Sequence, residues 1–82
     1  MKLLKFSAEW CGPCGMLKKV IDGIEDLPIE IQEINIDEET ELAAQYNIRN
    51  IPTCVIVSDS GEEIRRKSGM MNKEQFLLFV EE

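Results

Sequence analysis

The sequence has no histidine, three prolines, five glycines and three cysteines in 82 residues, and each scarcity excludes something. A structural zinc site takes about four ligands, usually a second CxxC or a histidine pair. With no histidine, and only Cys54 beyond Cys11 and Cys14, such a set cannot be completed within one chain. The low proline and glycine content excludes a low-complexity or disordered chain, and no internal repeat or linker is visible. No apolar run approaches the ~18 residues that a membrane span needs. The opening MKLLKFSAEW has no long apolar stretch and no small-residue cleavage site, so it does not read as a signal peptide. Basic residues are also few: 9 against 16 acidic ones, for a net charge of −7. That balance argues against a nucleic-acid or anionic-membrane surface, both of which attract basic patches. These exclusions lead us to expect one acidic, cytoplasmic domain spanning residues 1–82, with no nucleic-acid or membrane partner.

The apolar residues supply a chain order. Leu3, Leu4 and Phe6 predict a strand over 2–7. Met16, Leu17, Val20, Ile21 and Ile24 recur at helical spacing and predict a helix over 12–25, with Pro13 in its first turn, where a missing N–H is tolerated. The β-branched IEIQEINID predicts a strand over 29–37. A second helix is expected over 39–47, capped by Asp37 or Thr40, with Leu42, Ala43 and Tyr46 as its apolar stripe. TCVIV at 53–57 reads as a buried strand, SDSG as a hairpin turn, and EEIRRK at 62–67 as a polar edge strand. Asn72 is the expected cap of a last helix whose Phe76, Leu77, Phe79 and Val80 face the core. The order is β-α-β-α-β-β-α: an α/β fold with a four-stranded mixed sheet and helices on both faces.

WCGPC, residues 10–14, carries the chemistry. Cys11 falls where the first strand ends and the first helix begins. A thiolate there faces unpaired N–H groups and the positive end of the helix dipole, so its pKa should drop from about 8.5 toward or below about 7. Cys14, one turn on, points back toward Cys11, and a disulfide between them can close and open with little movement. Cys11 is then the sulfur that attacks a partner's disulfide, and Cys14 the one that resolves the mixed disulfide. An iron–sulfur cluster shared across a dimer and a purely structural bridge remain alternatives. The first has no further support, and the second would close a very short loop and stabilise little. Cys54, inside the predicted buried strand, reads as a core thiol, with a regulatory role as the alternative.

AEWCGPC at 8–14, NID at 35–37, IRNIPT at 48–53 and Gly69 before the last helix together resemble the thioredoxin family, in order and approximate spacing. The resemblance covers nearly the whole chain, to a short form without the family's usual first strand and helix. It implies a thioredoxin-like fold and a thiol–disulfide oxidoreductase that reduces protein disulfides through Cys11 and Cys14. Trp10, Gly12 and Pro13 complete the active-site loop. Pro52 matches the family's cis-proline, leaving the Ile51 backbone to pair with an extended client segment. Gly69 matches a glycine where a bare backbone admits a partner. No cofactor beyond the cysteine pair and no metal is implied. The implied partners are disulfide-containing client proteins, ribonucleotide reductase among them by analogy, and a thioredoxin reductase or glutathione-type reductant. The chain is expected to be monomeric. The alternatives are glutaredoxin-like exchange with glutathione and a non-enzymatic binding subunit.

Some positions depart from the family. Its buried aspartate six residues before the first cysteine is Lys5 here, and its lysine on the neighbouring strand is Glu33. We therefore expect a charge-swapped pair beneath Cys14 that could relay a proton or lower the Cys14 pKa, as against a lysine that reaches solvent and an ordinary surface acid. Gly15 replaces a customary basic residue after Cys14, and Ser7 a common aromatic.

Overall fold

The apolar runs become the inner strands and the mixed runs become the edges. A computed structural model describes all 82 residues, Met1–Glu82. Along the chain it has β1 (Lys2–Ser7), α1 (Gly12–Asp22), β2 (Glu30–Asn35), α2 (Thr40–Gln45), β3 (Thr53–Val57), β4 (Glu63–Ser68) and α3 (Lys73–Glu81). The four strands form one sheet in the order β2-β1-β3-β4. The α1 crossover makes β1 and β2 parallel, while β3 runs antiparallel to both β1 and β4. Every residue of β3 is buried, and the polar β4 lies at an edge, as its composition predicts. No helix is long and apolar enough to cross a membrane.

Strand alternation sorts two cores onto the two faces of the sheet. Leu3, Cys54 and Ile56 point to one face and meet Leu17 and Ile21 of α1 and Phe76 and Phe79 of α3. Leu4, Phe6, Val55 and Val57 point to the other face and meet Ile34 and Tyr46, with Leu42 and Ala43 of α2 packed against them. The β4 arginines follow the same alternation. Arg65 donates to the carbonyls of Phe79 and Val80 at the end of α3, and Arg66 donates to the Tyr46 carbonyl on the opposite face. Asn72 caps α3 as expected, in a reciprocal capping box with Gln75.

Several boundaries are tighter than the sequence predicts. The first helix stops at Asp22 rather than 25, because the Gly23 and Ile24 N–H groups close the last turn onto Lys19, Val20 and Ile21 and Asp26 then turns left-handed at φ 54°. Ile24 keeps its helical spacing and stays buried although the helix has ended. The second strand spans Glu30–Asn35 rather than 29–37, because Asn35 starts a turn: its carbonyl accepts from Glu38 and Glu39, and its side chain accepts from the Asp37 N–H. The second helix is likewise shorter than 39–47, and neither Asp37 nor Thr40 caps it. Glu39 holds the N-cap position without a side-chain bond, and the Asp37 carboxylate is taken by Trp10. The last strand runs one residue later than expected, from Glu63 to Ser68.

Candidate active site

The site forms where β1 runs out and α1 begins. The Cys11 N–H donates to the Ala8 carbonyl at 3.2 Å, which turns the chain sharply into the helix. Cys11 is the N-cap, with extended backbone, and its Sγ accepts the Cys14 N–H at 3.1 Å. That places one of the helix's unpaired donors on sulfur, where it stabilises negative charge whenever Cys11 is a thiolate. Pro13 sits in the first turn as predicted. Cys11 and Cys14 are joined by a disulfide, with Cα atoms 5.3 Å apart, within the usual range for such bonds. Both sulfurs are enclosed, Cys14 more than Cys11, in a small cluster with Ala8 against which Ile36 and Ile51 pack.

The second loop arrives from across the sheet. The Ile51–Pro52 bond is cis, as the resemblance implies, and Pro52 is fully buried. The Pro52 carbonyl accepts the Gly69 N–H at 2.7 Å, which ties the loop after β4 to the loop before β3. Ile51's own backbone groups take no part in the loop hydrogen bonds. Gly69 has φ 94°, a left-handed conformation that disfavours any side chain, and open space where a Cβ would lie. Trp10 stands 69% exposed beside the disulfide, its Nε1–H donating to the Asp37 carboxylate at 2.9 Å. That partner is not legible from local pattern. The β1–β2 pairing ends at Ser7 and Asn35, and the loops that follow the two strands bring Trp10 and Asp37 together.

The same register puts Lys5 beside Glu33 on the face below α1, and Lys5 also faces Cys54 on β3. Lys5 Nζ donates to Glu33 Oε1 at 2.7 Å. The lysine side chain is buried and does not escape to solvent, whereas the glutamate is half exposed. A shallow recess beside the disulfide is walled by Lys5, Glu33, Lys18, Cys11 and Cys14. The expected pair therefore exists and opens onto the same space as both sulfurs. A larger cavity of about 500 Å³ lies at the far end of the sheet, beside Met1, Asp59 and Tyr46, with no thiol near it, so volume is not what marks the site. No group of three Cys, Asp or Glu side chains sits close enough to share a metal ion.

The chain is similar to known proteins in sequence and in fold. The Thioredoxin family model matches residues 1–82. A thioredoxin of Chlamydia pneumoniae is 42% identical over 74 residues, covering 88% of this chain and 72% of its own length. One from Rickettsia felis is 38% identical over 81 residues, covering 95% of this chain and 76% of its own. Among solved structures, a mutant thioredoxin from Halobacterium salinarum superposes with a TM-score of 0.86 at 34% identity, covering 96% of this chain and 70% of that one. The Fasciola hepatica thioredoxin gives 0.84 at 30% identity, covering 96% and 76%.

The chain belongs to the thioredoxin family.

It is a protein-disulfide oxidoreductase of that family, built around the Cys11–Cys14 pair. The fold is thioredoxin-like, as the sequence implies. All ten sequence-predicted residues converge on one end of the sheet: Trp10, Cys11, Gly12, Pro13 and Cys14 from the first loop, Ile51 and Pro52 from the second, Gly69 from the third, with Lys5 and Glu33 beneath. Sequence reasoning missed Ala8 and Ile36, which shape the apolar wall, and Asp37 as the partner of Trp10. All three lie inside the family motifs at 8–14 and 35–37, which was the available signal.

Proposed function

We propose that this thioredoxin-family chain is a cytoplasmic electron carrier that reduces the disulfides of client proteins, cycling Cys11 and Cys14 between dithiol and disulfide. The observation that carries this reading is the N-cap position of Cys11, with the Cys14 N–H on its sulfur. A sulfur stabilised as thiolate, and the less enclosed of the two, is the one that attacks. The unpaired backbone of Ile51 and the bare Gly69 flank it and offer an extended client segment an edge to lie along. The client then leaves reduced, and a reductase or a glutathione-type thiol restores the pair. No cofactor beyond the two cysteines enters the cycle.

The test is the equilibrium potential of the pair, titrated in dithiol and glutathione buffers and read by Trp10 fluorescence. A value near about −270 mV is expected for a carrier that reduces proteins. A value near about −200 mV would instead mark glutaredoxin-like exchange, and one near about −120 mV an oxidant. If no reversible couple appears, the proposal fails.

A further inference from the structure

Lys5 sits mid-strand in β1 with its side chain 3% exposed, yet its only ion-pair partner, Glu33, is 53% exposed. A lysine is almost never so enclosed unless it is paired. This pair is lopsided: water screens the carboxylate from its open side, while the ammonium is held in the low-dielectric floor of the recess. The other charged groups around Lys5 are paired or exposed. On α1, Lys18 is occupied with Asp22 at 2.8 Å, and in the loop before it Glu9 lies exposed on the rim. On β3 the register neighbour is the neutral thiol of Cys54. Lys5 is thus the one buried charge on the recess, and Cys14 lines the same recess. Lys5 already acts on one sulfur, opposing the rise that burial imposes on the Cys54 thiol.

We propose that Lys5, clamped by Glu33, is a positioning residue for the resolving half of the exchange: its fixed charge favours Cys14 as the thiolate when Cys14 must attack. The inference rests on the redox reading above. Once Cys11 is bonded to a client sulfur, the Cys14 thiol releases its proton to water in the recess. Its thiolate attacks Cys11 Sγ, forming the Cys11–Cys14 bond and breaking the Cys11–client bond. The electron pair leaves on the client sulfur, which then takes up a proton. Two electrons have passed from the cysteine pair to the client disulfide. Glu33 holds the ammonium in place and is not the proton acceptor.

Ring closure in a single turnover tests this. The reduced 82-residue protein is mixed with a chromogenic aryl disulfide, and release of the second aryl thiol is followed against pH for wild type, Lys5→Met, Lys5→Arg, Glu33→Gln and the double variant Lys5→Met/Glu33→Gln. We expect Lys5→Met to slow closure at least about tenfold near neutral pH, with the profile moved to higher pH and the alkaline plateau kept. Lys5→Arg restores most of the rate, and Glu33→Gln, whose amide oxygen can still accept from the ammonium, closes well faster than Lys5→Met. The double variant leaves no unpaired buried charge, so it reports the same slowing if the single variant folds poorly. An unshifted pH profile in both methionine variants would overturn the proposal. So would a Glu33→Gln rate as low as that of Lys5→Met, which would make Glu33 the base. A wild-type protein that never closes the ring would sink the underlying redox reading, and needs no variant to reveal it.

Discussion

Cys14 is the more enclosed of the two sulfurs, and Cys11 is the one that receives a helix N–H. Their roles should therefore separate on mutation. With Cys14→Ser, Cys11 still attacks but nothing resolves the product, so a covalent client adduct accumulates on non-reducing gels and in mass spectra. Cys11→Ser should give none, and equal trapping by both variants would mean the roles are not divided. Cys54 makes a different prediction at the same scale. Burial pushes its thiol up to about 12, from an ordinary value of 9.0, with the Lys5 charge pulling the other way. The folded chain then keeps a proton that the unfolded chain loses across that window. This contribution to stability is complete below about pH 9 and fades as pH rises toward about 12. Wild type should lose more stability than Cys54→Ala between neutral pH and about pH 10, read from urea midpoints. Parallel losses would show that the thiol is not held neutral.

At the scale of elements, short helices in a small chain depend on their ends. The last helix has both ends satisfied: Asn72 and Gln75 close the first turn, and Arg65 donates to the Phe79 and Val80 carbonyls while lying over the Phe79 ring. Asn72→Ala should cost about 1 kcal/mol, the usual worth of an N-cap. Arg65→Gln should cost a similar ~1 kcal/mol, because a partly exposed charged donor is discounted by solvent. Thermal unfolding of the two variants checks both figures, and a Tm unchanged in either would mean that helix end is held by packing alone. The second helix is the contrast. It has no side-chain cap and no buried residue within its six, and is anchored by Tyr46 just beyond it, whose hydroxyl donates to the Gly61 carbonyl at 2.6 Å.

For the whole molecule, 82 residues imply a total stability of about 4–12 kcal/mol. Phe76 is fully buried between α3 and the sheet. Phe76→Ala should therefore cost about 3–5 kcal/mol, a large share of that total. Denaturant unfolding should show a much lower midpoint with an unchanged slope. A shift below about 1 kcal/mol would mean that the core relaxes around the gap. Both faces of the sheet reach the site. The face holding Phe76 also carries Lys5 and Cys54 under the first helix, while Ile36 and Ile51 pack on both the α2-side core and the disulfide cluster, so loosening either face should reach the disulfide.

The sequence by itself determined the element order, the buried third strand, the Asn72 cap and the five residues of the first loop, because each depends on neighbours a few positions away. It also pointed to Lys5 and Glu33, but only as two departures from a family pattern, with burial and escape to solvent equally open. The tertiary structure decided that question. The β1–β2 register sets the two side chains side by side, and α1 covers the lysine while the edge position of β2 leaves the glutamate in water. The loops leaving those two strands gave Asp37 to Trp10, and it does not cap the second helix. Helix ends and side-chain partners of this kind are settled by competition between distant groups for the same atom, which no local window of the chain contains.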